Sequence, residues 1–174
     1  MGRVALLVLT LVALTGATTG GDRTEVRPPE VAGAQEVTVV ALVVDERTHQ
    51  PTIVLEGKRD RRNLAMAIGL AEATGIAAPL QGVTPPRPLT HDLFLTLFGR
   101  LKVNVVRVVI NDLKGGVYYA TIVLSVDGAE QTLDARPSDA IALAVRAKAP
   151  VFVEDRVFDR GSLPPAASPS APRI

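Results

Sequence analysis

The sequence predicts an α+β protein built from duplicated strand–strand–helix units that fold as a single mixed α/β domain. Three observations carry this. The first is an internal echo. Val39-Val40-Ala41-Leu42-Val43-Val44 followed by Thr52-Ile53-Val54-Leu55 is matched by Val105-Val106-Arg107-Val108-Val109-Ile110 followed by Thr121-Ile122-Val123-Leu124. Each half then carries an Ala-Ile-x-Leu-Ala segment, Ala67 to Ala71 and Ala140 to Ala144. The second is a change of period, from β-branched runs of strand length to Ala- and Leu-rich runs of helical length. The third is size and composition: 174 residues, 47% hydrophobic and 21% charged, suit one domain with a full core.

The N-terminus reads as a targeting segment. Arg3 precedes an apolar run from Val4 to Leu14, followed by the small residues Thr15 to Gly20. A positive start, a short apolar core and small residues after it describe a secretory signal, here residues 1–20 with cleavage near Ala17. The run falls short of the roughly 20 apolar residues of a membrane span, so no stable span is expected after cleavage; an uncleaved anchor is the alternative. Export to the periplasm or the extracellular space follows. Residues 21–35 are polar and read as a linker, and the domain is expected over 36–160.

Within the domain, Val37 to Val44 is almost continuously apolar and β-branched, a strand expected to be buried on both faces. A turn to Pro51 leads to the return strand Thr52 to Leu55. Asn63 to Thr74 is predicted helical, with Leu64, Ala67, Ile68 and Ala71 on one face and Gly75 as the stop. Ile76 to Pro88, which holds four prolines, is predicted to be a loop. A second helix is expected over about His91 to Leu101. Asn104 to Asn111 and Val117 to Val126 form a hairpin across Lys114-Gly115-Gly116, Asp127-Gly128 turns the chain again, and Glu130 to Asp134 is a further strand. Pro137 and Ser138 open a helix whose run from Ala140 to Val145 is apolar on nearly every side, the mark of a buried helix. Pro150 to Val153 is the last strand, and the Pro-, Ala- and Ser-rich residues 161–174 read as a disordered tail.

Composition excludes several chemistries. With no Cys there are no disulfides, no thiolate metal site and no Cys nucleophile. Having only two histidines, His49 and His91, argues against a multi-histidine metal centre. A net charge of +1 does not describe a broadly basic surface that coats nucleic acid. The local run Lys58, Arg59, Arg61 and Arg62 is either a solvated turn or a phosphate contact.

Two stretches share one grammar: Arg87-Pro88-Leu89-Thr90-His91-Asp92-Leu93, and Asp134-Ala135-Arg136-Pro137-Ser138-Asp139-Ala140-Ile141-Ala142-Leu143. Each has Arg-Pro, a hydroxyl residue, an acid in the first turn and then an apolar helix. In this order and separation, with Val117-Tyr118-Tyr119-Ala120-Thr121 between them, they resemble the bifunctional nuclease family over roughly residues 37–158. The resemblance implies a small duplicated α+β domain that cleaves DNA and RNA and tends to dimerise, for which strand-edge pairing is a natural contact. It also implies an acid at the start of the first-repeat helix, after a strand ending in Ile-Gly. With that helix placed at Asn63, the acid's position falls near Asn63 or Leu64, where this chain has none.

The residues themselves fit phosphodiester chemistry. Arg87 and Arg136 are suited to bidentate grip on phosphate oxygens, with Ser138 beside them as a further substrate contact. His91 is the side chain type that moves protons near neutral pH, and Asp92 and Asp139 complete the candidate catalytic set. Asp134 and Asp139 are the hard oxygen ligands that Mg or Mn takes. The helix starts at Thr90 and Ser138 present amides suited to anions. Each residue also has a structural reading: Thr90 and Ser138 as caps, Asp92 and Asp139 as complements to helix dipoles, Arg136 as an ion-pair partner of Asp139 or Asp134. Two functions follow: an exported nuclease acting on DNA and RNA with little sequence preference, or a non-catalytic exported dimer that binds an anionic ligand or a protein.

Overall fold

Three strands and a helix, repeated, make the scaffold. The computed structural model describes residues 31–44 and 48–163. The first half runs β1 (Ala34–Val44), β2 (Pro51–Gly57), β3 (Asn63–Ala67) and α1 (Leu70–Leu80). After α2 (Thr90–Arg100), the second half runs β4 (Asn104–Lys114), β5 (Val117–Val126), β6 (Ala129–Ala135) and α3 (Pro137–Ala147). The chain closes with β7 (Val151–Glu154), α4 (Asp155–Gly161) and the two-residue β8 (Ser162–Leu163). All strands join one sheet in the order β6-β5-β4-β7-β1-β2-β3-β8. The halves therefore flank β7, which pairs antiparallel with β1 and parallel with β4. The α+β class and the duplication hold, but each unit has three strands, not two.

The pleat explains the layering. Val108, Ile110, Ala120, Ile122, Ile53, Leu55, Leu64 and Met66 lie on one face of the sheet and pack with α1, α3 and α4 in a single core. Helix α3 is its centre: Ala140 to Ala144 are all buried, and the alanines let the helix axis approach the sheet closely. Burying Ile141, Phe158 and their neighbours supplies most of the stabilisation, at about 1.5–3 kcal/mol per large side chain. The sheet also curls. The Tyr118 hydroxyl on β5 donates to the Ala65 carbonyl on β3 at 3.3 Å, although β4, β7, β1 and β2 lie between those strands in the sheet.

Several expectations are corrected. Asn63–Ala67 is strand, not helix, because Leu64 and Met66 alternate inward and pair with Leu55 and Ile53 on β2. The helix starts later, at Leu70, and Gly75 is buried inside it rather than ending it. The predicted loop from Ile76 therefore begins as helix, with Pro79 in its last turn. β1 starts at Ala34, inside the predicted linker, and its second half is not buried on both faces: Val40, Val43 and Val44 are exposed. Helix α4 and strand β8 occupy residues after Glu154, so order continues past Gly161. The hairpin, its turn and α2 sit where predicted. The signal segment, most of the linker and the tail from residue 164 lie outside the described residues.

The basic run does not face outward as a free patch. Lys58 pairs with Glu36, Arg59 with Asp155 and Arg61 with Glu56. Arg62 binds Asp60, Asp155 and Asp159 and lies 4.7 Å over the Phe158 ring. The run ties the β2–β3 turn to α4. Among the described residues no helix is long and apolar enough to cross a membrane.

Candidate active site

The first turns of α1, α2 and α3 converge on a cleft of about 380 Å³ lined by Glu72 and Gly75 from α1, Thr90 and His91 from α2, and Arg136 and Asp139 from α3. Helix N-termini leave their first amides unpaired and carry partial positive charge. Neither Thr90 nor Ser138 is a cap. The cap positions are Leu89 and Arg136, and neither cap side chain bonds the first-turn amides; at α2 the Asp92 carboxylate instead takes the Leu89 amide.

Arg136 is the hub. Its Nε donates to Asp139 Oδ2 at 2.6 Å, and its Nη2 donates to Asp139 Oδ1 at 3.1 Å and to Glu72 Oε1 at 2.9 Å. Its side chain is 66% exposed, and Nη1 faces no protein partner among the described residues. His91 Nε2 lies 3.4 Å from Asp139 Oδ1, with the His91 side chain largely buried. Burial pushes the Asp139 carboxyl up, but the hydrogen bond and charge of Arg136, helped by His91, outweigh it and hold the group below its ordinary value. The hydrogen bonds that Arg136 donates to Asp139, then the charge of Asp139 and the hydrogen bond donated to Glu72, raise Arg136 in turn.

Two glycines make this packing possible. A Cβ on Gly75 would meet Cε1 and Nδ1 of His91, each at 3.0 Å. A Cβ on Gly69 would lie 2.1 Å from Glu72 Oε2, so the carboxylate folds back over this glycine and a side chain there would displace it. Gly69 and Arg136 hold the same position in the two halves, each just before its helix, and Glu72 and Asp139 each sit three residues later. Glu72 is the residue the sequence reading missed. The strand-end signal was present as Ile68-Gly69, and the acid follows it; the misplaced helix start hid the match.

Asp92 does not point into this cleft. Its Oδ2 accepts from the Leu89 amide at 2.8 Å and its Oδ1 accepts from Arg146 Nε at 2.6 Å. The Arg146 side chain is only 7% exposed. Its hydrogen bond to Asp92, with the Leu89 amide helping against burial, holds that carboxyl below its ordinary value. Arg146 Nη1 also donates to the carbonyls of Gly75 and Ala142. The Gly75 carbonyl is available because the residue four positions on is Pro79, which has no N–H to give it. Asp92 and Arg146 thus lock the three helices behind the cleft.

Arg87 lies elsewhere as well, on a separate cavity of about 410 Å³ with Asp92 and the loop residues Gly82 to Pro88, and among the described residues it makes no ion pair. Asp134 is exposed on β6, opposite Thr121 in the ladder. The pleat puts Thr121 and Asp134 on the sheet face away from α3. Asp134 and Asp139 therefore do not form a pair of ligands for Mg or Mn. Both Asp139 oxygens already face a guanidinium, and among the described residues no group of three or more His, Asp and Glu stands ready to hold a metal. Ser138 is buried and lines an adjoining cavity beside Arg136.

Comparison with known proteins agrees with this architecture. Residues 53–165 match the family model of the bifunctional nuclease domain. The chain is 39% identical over 128 residues to an uncharacterised protein of Mycobacterium tuberculosis (strain H37Rv), covering 74% of this chain and 76% of that protein. It is 31% identical over 103 residues to bifunctional nuclease 1 of Oryza sativa subsp. japonica, covering 56% of this chain but 31% of the rice protein. A bifunctional nuclease of Oryza minuta aligns to the same extent. The matched span runs from β2 through α4 and contains all three helix starts of the cleft, and the chain belongs to the bifunctional nuclease domain family.

Proposed function

We propose that the chain is an exported nuclease that hydrolyses phosphodiester bonds of DNA and RNA with little sequence preference. The observation that supports this most is the convergence of three helix N-termini on one cleft that holds Glu72, His91, Arg136 and Asp139. Unpaired amides and an accessible guanidinium suit a phosphate. In this reading Arg136 grips a phosphate oxygen through its open Nη1. A water attacks phosphorus and gives its proton to Glu72. His91 protonates the leaving oxygen, and Asp139, joined to both His91 and Arg136, orients them. The test is hydrolysis of single-stranded DNA and RNA by the purified chain with Mg, with Mn and with EDTA. The expected result is cleavage of both, and the EDTA arm decides whether a divalent ion takes part.

One observation favours a second reading. Glu72 and Asp139 both already engage Arg136, so two carboxylates balance the one cation that would draw in a phosphate. A non-catalytic exported dimer that binds an anionic ligand or a protein fits that balance. Binding without cleavage in the same assay would favour it. A second copy is the partner we infer in either case. β6 has a free sheet edge, and α2 with the Leu101 that follows it exposes Leu93, Phe94, Leu97 and Leu101, an apolar row of the kind that marks interfaces. Sedimentation should give a dimer. Export is tested by N-terminal sequencing of the chain from the envelope fraction, with a start between Thr18 and Glu25 expected; an intact Met1 on a membrane-bound product would indicate an anchor.

A further inference from the structure

A second cavity, of about 390 Å³, adjoins the cleft and shares Arg136 with it. The curl of the sheet builds it. Met66 near the end of β3 and Ile68 just after it form one wall, Val117 and Tyr118 at the start of β5 another, and Pro137 and Ser138 at the start of α3 the third. Ser138 is only 7% exposed, yet its hydroxyl makes no hydrogen bond to any described residue. The first turn of α3 beside it has no side-chain cap. Gln50 also lines the cavity, and its Nε2 donates to the Ile68 carbonyl at 2.6 Å. That bond fixes the amide and leaves Oε1 as an acceptor. The hydroxyl opens onto the cavity with its hydrogen-bonding capacity unused, so a ligand or water there can serve it, and a hollow that combines apolar side chains with a few convergent polar groups suits a small ligand.

We propose that this cavity seats one unpaired nucleobase of the strand whose phosphate lies at Arg136. The proposal rests on the nuclease reading above and adds the form of the substrate. A nucleobase has apolar faces and a polar edge, which matches a cavity of mixed lining, with Met66, Ile68 and Val117 on its apolar side and Gln50 and Ser138 on its polar side. It is joined to its phosphate through a single sugar, which matches a cavity that meets the phosphate site at one shared arginine. A base enters such a hollow only when it is out of the duplex stack, so single strands are preferred to duplexes. The polar contacts are few, so discrimination among bases is weak.

The test is fluorescence anisotropy with three probes on phosphorothioate backbones, which slow hydrolysis: a short single strand, the same backbone with abasic sugars, and the duplex. A parallel assay follows cleavage of the natural strand. The base-bearing single strand should bind about ten-fold tighter than the abasic one, the scale that burying one apolar ring supplies, and also tighter than the duplex. Ala67 is exposed and lines the cavity. Ala67→Phe should fill it without disturbing the fold, erase the ten-fold difference and leave abasic affinity unchanged. Equal affinity for base-bearing and abasic strands by a chain that still cleaves would overturn the base site and leave the nuclease reading standing. A preference that survives in folded Ala67→Phe would overturn the location. Failure to bind or cleave any strand would overturn both.

Discussion

Asp139 touches both His91 and Arg136, and that double contact decides how its replacement reads out. Its partner Arg136 is well exposed, so losing the pair costs at most about 1 kcal/mol. Asp139→Asn should therefore melt close to the parent while losing hydrolysis by about two orders of magnitude, if the carboxylate orients the proton donor. A folded, fully active Asp139→Asn chain would remove Asp139 from catalysis. Gly75 tests the other side of the imidazole. Alanine is the better helix former by about 1 kcal/mol, but its methyl would press on the His91 ring. Gly75→Ala should stay folded, shift the His91 imidazole NMR signals and slow hydrolysis by about ten- to a hundred-fold. Unmoved signals with a slowed reaction would show that the glycine acts in some other way.

At the scale of elements, the three cleft helices are held by the Asp92–Arg146 pair. Arg146→Met should cost about 2–3 kcal/mol, less than for a wholly buried pair because Asp92 keeps some water; the melting temperature reads it. A change under 0.5 kcal/mol would mean that the lock carries no stability. Much of this level was legible from residues. The hairpin announced itself through Gly115-Gly116, both at positive φ, and α3 through Pro137 and its apolar run. The first helix was not legible, because Leu64, Ala67, Ile68 and Ala71 fit a helical face as well as Leu64, Met66 and Ile68 fit a strand. Leu, Ala and Met are helix formers, and only pairing with Thr52 to Glu56 decides for a strand. That one misplacement hid Glu72. Asp92, too, was assigned to chemistry because its partner Arg146 lies 54 residues away, a pairing no local pattern reveals. The arginine pair was half legible: Arg136 reaches the cleft, while Arg87, in the same local grammar, is carried off by its loop.

For the whole molecule, acid is the predicted point of failure. The carboxyls of Asp60, Asp92, Asp112 and Asp139 all lie below their ordinary value of 3.8. On acidification the unfolded chain therefore takes up protons at these sites before the folded one does. Their contribution is complete above about pH 5 and drains away as the pH falls through 3.8 and below. Melting temperature should stay level from neutral to about pH 5 and then drop, and the fall should be shallower in Arg146→Met, where Asp92 has lost the partner that depresses it. A curve as steep as the parent's would take Asp92 out of the acid response. The buried guanidinium has one more consequence. Its protons are shared among α1, α2 and α3, so solvent reaches them only when those helices part. The Arg146 Nε–H is therefore a built-in clock: its exchange with deuterium measures how often the cleft comes apart, in a chain that need never be fully unfolded to be timed.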